Sequence, residues 1–334
     1  MTQKNILVLG GAGFLGGHLC ERLLLAGANV ICIDNFSTSG ENNINHLLRQ
    51  PRFEFIKHDL AEKIDLEAIP DLAKFKVNVF GIQEIYNLAC PTSVKNFEKL
   101  KKETVLANST VLINGLELAV KYKAKFMHFS SSVVYGEVKR GKYIAEDYRG
   151  VSDMLDPRAC YDEGKRYAES IVDTYREKHK LDTKIVRIFR TYGPRMLLND
   201  GQMIPDFIVS ALDNKDLVIF GTNKFQTSLC YASDIIEGCI KLMDSGVNEP
   251  VNFGNPEVYK IEDVAEKIIE LTGSTSKIVF DEAKLFMREL ALPDISKAKE
   301  AIGWFPIVSL EEGLKKTIDY TRAHKDLLMI STEA

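Results

Sequence analysis

The first two-thirds of the chain alternates short apolar runs with longer segments that are apolar on one face. The short runs are typical of strands and the longer segments are typical of helices. Because the apolar runs are nearly continuous, we expect a parallel sheet that helices cover on both faces. The predicted strands span residues 5–9, 29–33, 53–56, 84–88, 125–129 and 184–189, and the predicted helices span 14–26, 103–122 and 161–179.

Beyond residue 191 glycine and proline interrupt this rhythm, and the predicted helices become shorter: 204–213, 233–244, 261–272 and 310–323. The change indicates a second, smaller lobe. We therefore predict an α/β fold, with a Rossmann-type doubly wound parallel sheet and a smaller mixed α/β C-terminal substrate lobe. The predicted boundaries are 1–190 for the first domain, completed by parts of 229–257, then 191–228 and 258–323 for the lobe and 324–334 for a loose tail. The long connection 61–83 has room for a short helix.

The composition of the chain restricts the kinds of partner that we expect. The chain has 334 residues, of which 45% are hydrophobic and 27% charged, and its net charge is −4. Without a basic field we expect no nucleic-acid partner, and no apolar stretch is long enough to span a bilayer. Six cysteines lack CxxC spacing and no export signal is recognised, so we expect reduced thiols in a cytoplasmic protein. Six scattered histidines predict no metal site.

A glycine-rich turn, G-G-A-G-F-L-G at 10–16, connects the first predicted strand to the first predicted helix. Three of its glycines fit G-x-G-x-x-G, which lets a backbone approach a pyrophosphate at a helix N-terminus. Asp34 ends the next predicted strand, where a carboxylate binds a ribose diol and repels a 2′-phosphate, so NAD is favoured over NADP. The residues predicted to bind NAD here are Gly10, Gly11, Gly13, Phe14, Leu15, Gly16, Asp34 and Asn35.

Two further turns follow predicted strands three and four, and ligands bind at the carboxyl ends of parallel strands. Asp59 and Leu60 are placed beside an adenine, and Leu88, Ala89 and Cys90 beside the nicotinamide half. Cys90 is interpreted as a small loop residue, with a nucleophilic thiol as the alternative.

Tyr161 and Lys165 are four residues apart on a predicted helix, so they share one face. A phenol is a poor base, but a nearby ammonium favours the phenolate. The pair could then remove a proton from a sugar hydroxyl while a hydride leaves for NAD.

Four motifs carry a family resemblance: N-L-A-C-P-T-S (87–93), P-R-A-C-Y-D-E-G-K-R (157–166), T-Y-G-P-R-M (191–196) and P-D-I-S-K-A-K (293–299). The chain resembles the extended short-chain dehydrogenases/reductases that act on nucleotide sugars, and within them the UDP-glucuronate decarboxylases. The resemblance implies a tightly held NAD that is regenerated in each turnover. It also implies oxidation of the sugar at C4, loss of CO2 from the resulting β-keto acid, and reduction to UDP-xylose.

The resemblance also implies roles for single residues. Tyr161 is the base, Lys165 its electrostatic partner and a ribose ligand, and Ser131 the hydroxyl that bonds the C4 oxygen. Asn108 matches an active-site asparagine near the cofactor, with a buried polar group of a helix as the alternative. The expected substrate contacts are Pro91, Ser132, Tyr135, Arg190, Thr191, Arg195, Tyr231 and Arg288. Ser132 has the alternative role of satisfying backbone groups at the strand end.

Three positions depart from the family pattern. The decarboxylases have Glu where this chain has Val133. The dehydratases have an Asp-Glu pair where this chain has Ser132-Val133, so dehydration is disfavoured. A diphosphate-binding arginine in the family is Thr227 here, and an asparagine is Arg190. We hypothesise that Arg190 supplies the cation that Thr227 lacks, or binds a substrate carboxylate. The alternative is a salt bridge to a nearby acid.

The leading interpretation is therefore NAD-dependent decarboxylation of UDP-glucuronate. A C4-epimerase or 4-ketoreductase acting on a related nucleotide sugar remains open, since C4-epimerases lack a carboxylate at position 133. An NAD-binding regulatory protein on the same fold is the non-enzyme alternative, which the intact Tyr161 and Lys165 oppose. The helices at 103–122 and 161–179 resemble the pair that forms a dimer interface in the family, so we expect a homodimer.

Overall fold

A computed structural model describes residues 3–138, 141–198, 200–221, 226–282 and 291–330. Its centre is a seven-stranded sheet in which every neighbouring pair is parallel. In spatial order the strands are β12 (Val251–Phe253), β7 (Thr183–Ile188), β5 (Lys125–Ser131), β4 (Glu84–Asn87), β1 (Asn5–Leu9), β2 (Asn29–Asp34) and β3 (Phe53–Lys57).

Helices cover both faces of this sheet. The helices of the whole chain are α1 (Phe14–Leu25), α2 (Val77–Phe80), α3 (Val94–Lys99), α4 (Lys101–Leu106), α5 (Leu112–Tyr122), α6 (Ala159–His179), α7 (Met203–Leu212), α8 (Ala232–Asp244), α9 (Ile261–Thr272), α10 (Ser296–Ile302) and α11 (Leu310–Ile330). Strand β1 shows why both faces are apolar: Val8 packs in a core cluster with α1 and α8, whereas Leu7 and Leu9 pack in a cluster with α5 and α6. Successive side chains of a strand point to opposite faces, so a strand buried on both sides must be apolar throughout.

The second lobe has a core of its own. Residues of α7, α9 and α11 form a cluster with Tyr192 and Tyr231. Short strands frame this lobe and its junction with the first domain: β6 (Tyr143–Ile144), β8 (Thr191–Tyr192), β9 (Leu217–Phe220), β10 (Gln226–Thr227), β11 (Cys230–Tyr231), β13 (Tyr259–Lys260), β14 (Ile278–Asp281) and β15 (Leu292–Pro293).

The predicted strands and helices are confirmed, with ends that differ by one or two residues in most of them. The segment 61–83 contains 3₁₀ turns and the short helix α2, as expected. The expectation of a loose tail from residue 324 is wrong as far as Ile330, because α11 continues to that residue. No helix within the described ranges is long and apolar enough to cross a membrane.

The sheet brings the ends of its central strands to one edge. Leu9 of β1 is level with Ile33 of β2 and with Asn87 of β4, and Ser131 of β5 is level with Ile188 of β7. All of these strands are parallel, so the residues that follow them lie along the same carboxyl edge. This edge is where ligands bind in open α/β sheets.

We predict a homodimer that uses α6 and the helical segment that runs from α4 to the end of α5. Val105 on α4 and Tyr167 on α6 expose 49% and 59% of their surfaces, and burying them against a second copy removes apolar area from water. Light scattering should show a dimer at micromolar concentration, and Tyr167→Asp should shift it to monomer. Phe305→Asp is the matched control, because Phe305 is 56% exposed and lies outside these helices. A monomeric wild-type protein would contradict the prediction.

Candidate active site

The glycine-rich turn is packed so closely that side chains would not fit. Gly10 has φ +77, and a Cβ there would lie 2.6 Å from the backbone nitrogen of Ala89. A Cβ on Gly16 would collide with the carbonyl oxygen of Gly10. Only glycine combines a left-handed backbone with such an approach, so the turn after β1 and the turn after β4 meet at Gly10.

The N-terminus of α1 is open to an anion. Gly13 is its N-cap and carries no side-chain cap, and the first turn has no acidic residue. Backbone N–H groups at such a helix end attract phosphate oxygens. The glycine cradle and the uncapped helix end therefore fit the pyrophosphate of a dinucleotide.

Asp34 ends β2 beside this cradle. Its carboxylate accepts hydrogen bonds from the backbone N–H of Ala12 at 3.0 Å, from that of Phe36 at 2.9 Å and from the Ser39 hydroxyl at 2.9 Å. Burial raises the pKa of Asp34, and these bonds act in the opposite direction. The carboxylate is thus fixed where the sequence predicts a ribose contact.

The other predicted cofactor residues lie on the same edge but differ in how far their side chains are exposed. Asn35 and Asp59 are exposed, whereas the side chain of Leu60 packs in the core, so Leu60 offers only its backbone. Phe14 packs against the core of the second lobe and links it to α1. Burial raises the pKa of the Cys90 thiol, which argues against the nucleophilic alternative.

Tyr161 and Lys165 lie on the first turns of α6, and the strand end of β5 lies against them. The ammonium of Lys165 donates a hydrogen bond to the carbonyl of Phe129 at 2.8 Å and lies 5.8 Å from the centroid of the Tyr161 ring. The hydroxyl of Ser131 interacts with Tyr161 and lowers the tyrosine pKa. The structure therefore brings together the three residues predicted to be catalytic.

Burial dominates the electrostatics of this trio. It raises the pKa of Tyr161, with the Ser131 hydroxyl and the charge of Arg158 opposing it, and it lowers the pKa of Lys165. Both shifts favour the neutral form of the group. A positive charge placed beside the ring would favour the phenolate.

Asn108 lies in a π-helical turn, Ala107–Val111, between α4 and α5. Its side-chain nitrogen donates to the carbonyl of Thr104 at 2.9 Å and approaches Cys90 Sγ at 3.3 Å. Its buried Oδ1 has no hydrogen-bond partner among the described residues. Widened turns of this kind often occur at functional sites, and Gly164 of α6 packs directly on Asn108.

An apolar patch covers Tyr161 at Val133, the position where the family resemblance implies an acid. Val133 is 8% exposed and packs with Phe97, Tyr161, Cys90 and Cys160. The Phe97 and Tyr161 rings are stacked with centroids 4.8 Å apart. The sequence analysis missed Phe97, because nothing in its local pattern links it to a helix about 60 residues later.

Arg158 was also missed, although it lies within the motif P-R-A-C-Y. Its guanidinium is centred 5.3 Å from the Phe97 ring centroid and forms an ion pair with Asp162. Its charge acts on both Tyr161 and Arg190. Because Arg158 comes three residues before Tyr161, the sequence could have indicated that its charge acts on the predicted base.

The expected substrate contacts divide into three groups. The first follows the strands of the central sheet at its carboxyl edge: Pro91, Ser132, Arg190 and Thr191, the last of which begins β8. Arg288 lies outside the described residues.

Three expected contacts have other partners in the structure. Tyr135 is 1% exposed and its hydroxyl bonds to Asn252 and Arg187, and Tyr231 is packed in the core of the second lobe. Arg195 is held by an ion pair with Glu21 of α1 at 2.7 Å. Arg195 Nη1 has no hydrogen-bond partner among the described residues, and the assignment of these three side chains to the substrate stays a prediction.

A dinucleotide cradle beside a tyrosine–lysine pair is the arrangement of a short-chain dehydrogenase/reductase. The family model described as GDP-mannose 4,6 dehydratase matches residues 7–317. The chain belongs to the nucleotide-sugar epimerase/dehydratase family of extended short-chain dehydrogenases/reductases.

Individual relatives agree with this assignment. UDP-glucuronic acid decarboxylase 1 of Xenopus tropicalis is 38% identical over 96% of this chain and 72% of its own length. The solved UDP-glucuronic acid 4-epimerase of Bacillus cereus, in complex with UDP-glucuronic acid and NAD, is 30% identical with a TM-score of 0.82, over 96% of this chain and 99% of that one. The UDP-glucose 4-epimerase of Thermotoga maritima, solved with UDP-glucose, is 25% identical with a TM-score of 0.84, over 96% of this chain and 99% of that one.

The raised pKa of Tyr161 predicts the pH dependence of turnover. If the phenolate of Tyr161 is the active base, as the sequence predicts, kcat should rise with pH from neutral into the alkaline range. Lys165→Met should move this rise to higher pH by about one unit or more, because the ammonium that favours the phenolate is lost. Lys165→Arg should move it less, since the positive charge remains.

The measurement is a pH–rate profile at saturating cofactor and substrate. Lys178→Met is the matched control, because Lys178 lies on the same helix and is exposed. An unchanged profile in Lys165→Met would contradict the assigned role.

Proposed function

We propose that this protein converts UDP-glucuronate to UDP-xylose with NAD as a regenerated cofactor. The observation that carries the proposal is the trio of Tyr161, Lys165 and Ser131 beside the glycine cradle. The decarboxylase relative at 38% identity supports the choice of substrate.

The cradle residues Gly10, Gly11 and Gly16, with Asp34 for the ribose, would hold NAD. When bound, NAD accepts a hydride from C4 of the sugar and later returns it. Tyr161 removes the proton of the C4 hydroxyl, Ser131 donates a hydrogen bond to the C4 oxygen, and Lys165 favours the phenolate. The same tyrosine returns the proton when C4 is reduced.

The decarboxylation step does not need an acid or a base at position 133. A 4-keto group β to the carboxylate accepts the electron pair of the breaking C5–C6 bond, so CO2 leaves and an enolate forms. C5 then takes up one proton. Val133 has no proton to give, so this proton comes from water.

A C4-epimerase of a UDP-uronate is the second candidate, and the same Val133 favours it. Epimerisation keeps the carboxylate and needs no acid at this position. The Bacillus cereus epimerase, solved with UDP-glucuronic acid, shares this fold at 30% identity. The two candidates differ only in the fate of the 4-keto intermediate.

Proton NMR of the purified protein with NAD and UDP-glucuronate tests the proposal, with UDP-galacturonate and UDP-glucose run in parallel. UDP-xylose or its 4-keto precursor is the expected product. Interconversion of UDP-glucuronate and UDP-galacturonate, with the carboxylate retained, would establish the epimerase instead.

Tyr161→Phe should lower turnover by about 10²- to 10⁴-fold, because the ring is kept but the proton acceptor is lost. Affinity for UDP should stay near the wild-type value, since Tyr161 acts at the sugar. The measurement is kcat and the dissociation constant for UDP, each compared between wild type and Tyr161→Phe. Turnover within a few-fold of wild type would remove Tyr161 as the base.

A further inference from the structure

A partly buried ion pair lies directly behind the residues predicted to be catalytic. The carboxylate of Glu169, on α6, accepts hydrogen bonds from Arg187 Nε at 3.0 Å and from Arg187 Nη2 at 2.7 Å, so the pairing is bidentate. Both side chains are 13% exposed. Burial acts to lower the pKa of Arg187, but the hydrogen bonds and the charge of Glu169 outweigh it, so the pKa is raised overall. Arg187 therefore stays charged, with Glu169 as its counter-ion.

The sheet explains why Glu169 contacts two strands at once. Ser130 of β5 is level with Arg187 of β7 in the neighbouring strand, so both side chains leave the sheet on one face, where α6 packs. The hydroxyl of Ser130 donates a hydrogen bond to Glu169 Oε1 at 2.5 Å. One carboxylate thus joins α6 to β5 and β7, next to the predicted catalytic Ser131.

Glu169 also lies one helical turn after Lys165. Residues four apart on a helix are neighbours on one face. Burial lowers the pKa of Lys165, and the charges of Cys90 and Glu169 oppose that shift. Because burial raises the pKa of the Cys90 thiol, this thiol is neutral at physiological pH. Of the two opposing groups, Glu169 is therefore the one that carries a negative charge there.

Two further titratable groups face Lys165, and both are neutral at physiological pH. The ring of Tyr161, on α6, is centred 5.8 Å from the Lys165 ammonium, and burial raises the pKa of this tyrosine. His128, on β5, is fully buried, and burial together with the charge of Lys165 lowers its pKa. Neither group offsets the ammonium, which leaves that task to the carboxylate of Glu169.

Holding α6 on the sheet does not by itself explain an ion pair in this place. Removing two charges from water is costly, and buried ion pairs can often be replaced by apolar residues without loss of stability. Here the carboxylate binds the residue before Ser131 on one side and acts on Lys165 on the other. Its position therefore indicates a role in the active site as well as in packing.

We propose that Glu169 is a positioning residue of the active site, which fixes the end of β5 through Ser130 and supplies the negative charge that balances the ammonium of Lys165. Arg187 holds this carboxylate in place and, by pairing with it, limits the charge that Lys165 experiences. The inference rests on the proposed role of Lys165 beside Tyr161. It does not depend on which sugar binds or on the fate of the 4-keto intermediate.

The test follows the titration of Lys165 itself, in the full chain with NAD added. NMR of the labelled lysine Cε carbons gives its pKa, and Lys165→Met identifies its signal. The variants are Glu169→Gln, Arg187→Gln and the double variant, and circular dichroism and thermal unfolding check that each is folded. Asp173→Asn is the matched control, because Asp173 forms an ion pair with Arg176 on the same helix, about two turns beyond Lys165.

We expect Glu169→Gln to lower the pKa of Lys165 by about half a pH unit or more, because the carboxylate is lost and the charge of Arg187 is left unpaired. Arg187→Gln should raise it, because Glu169 loses the cation that offsets its charge. The double variant should lie between the two, and Asp173→Asn should match wild type. A merely structural role predicts the same direction for both single variants, since loosening α6 admits water to Lys165 and raises its pKa.

Equal directions in the two single variants, or no change in either, would overturn the inference. Should one single variant not fold, the other is compared with the double variant. Adding Glu169→Gln to Arg187→Gln must then lower the pKa of Lys165, and adding Arg187→Gln to Glu169→Gln must raise it.

The NMR titration needs no substrate, so its result is separate from that of the proposed reaction. If wild type forms no UDP-xylose but the two single variants shift Lys165 in opposite directions, the proposed reaction fails and this inference stands. If UDP-xylose forms but Lys165 titrates alike in all variants, this inference fails alone.

Discussion

The backbone contact at Gly10 is the constraint on which the rest of the site depends. There the turn after β1 passes the backbone of Ala89 so closely that no side chain fits, and its carbonyl oxygen faces the start of α1 at Gly16. The same residue donates its N–H to the carbonyl of Ile33 at 2.8 Å. One residue thus joins the ends of β1, β2 and β4, and this fixes where a phosphate, a ribose and a reacting sugar can lie.

The chemistry of the site follows from burial around α6. Tyr161 and Lys165 are 8% and 4% exposed, and each is shifted towards its neutral form. A phenol in such surroundings stays protonated until a ligand changes the local charge. Val133 and Phe97 pack against its ring and contribute to this burial.

Three arginines near the carboxyl edge differ in their partners. Arg158 forms an ion pair with Asp162, whereas Arg190 donates a hydrogen bond to the neutral hydroxyl of Thr227. Burial and the charge of Arg158 lower the pKa of Arg190. Arg195 pairs with Glu21 of α1, although its Nη1 has no hydrogen-bond partner among the described residues.

The sequence by itself determined the elements of the fold and the chemical type of the site. Continuous apolar runs predict strands that are buried on two faces. The glycine turn and the spacing of Tyr161 and Lys165 are local patterns too. The sequence could not determine which residues far apart in the chain come into contact. The stacking of Phe97 on Tyr161, the burial of Tyr135 and Tyr231, and the hydrogen bond between Arg190 and Thr227 join segments far apart in the chain. Only tertiary packing brings such segments together, because the register of the strands and the docking of the second lobe set those distances.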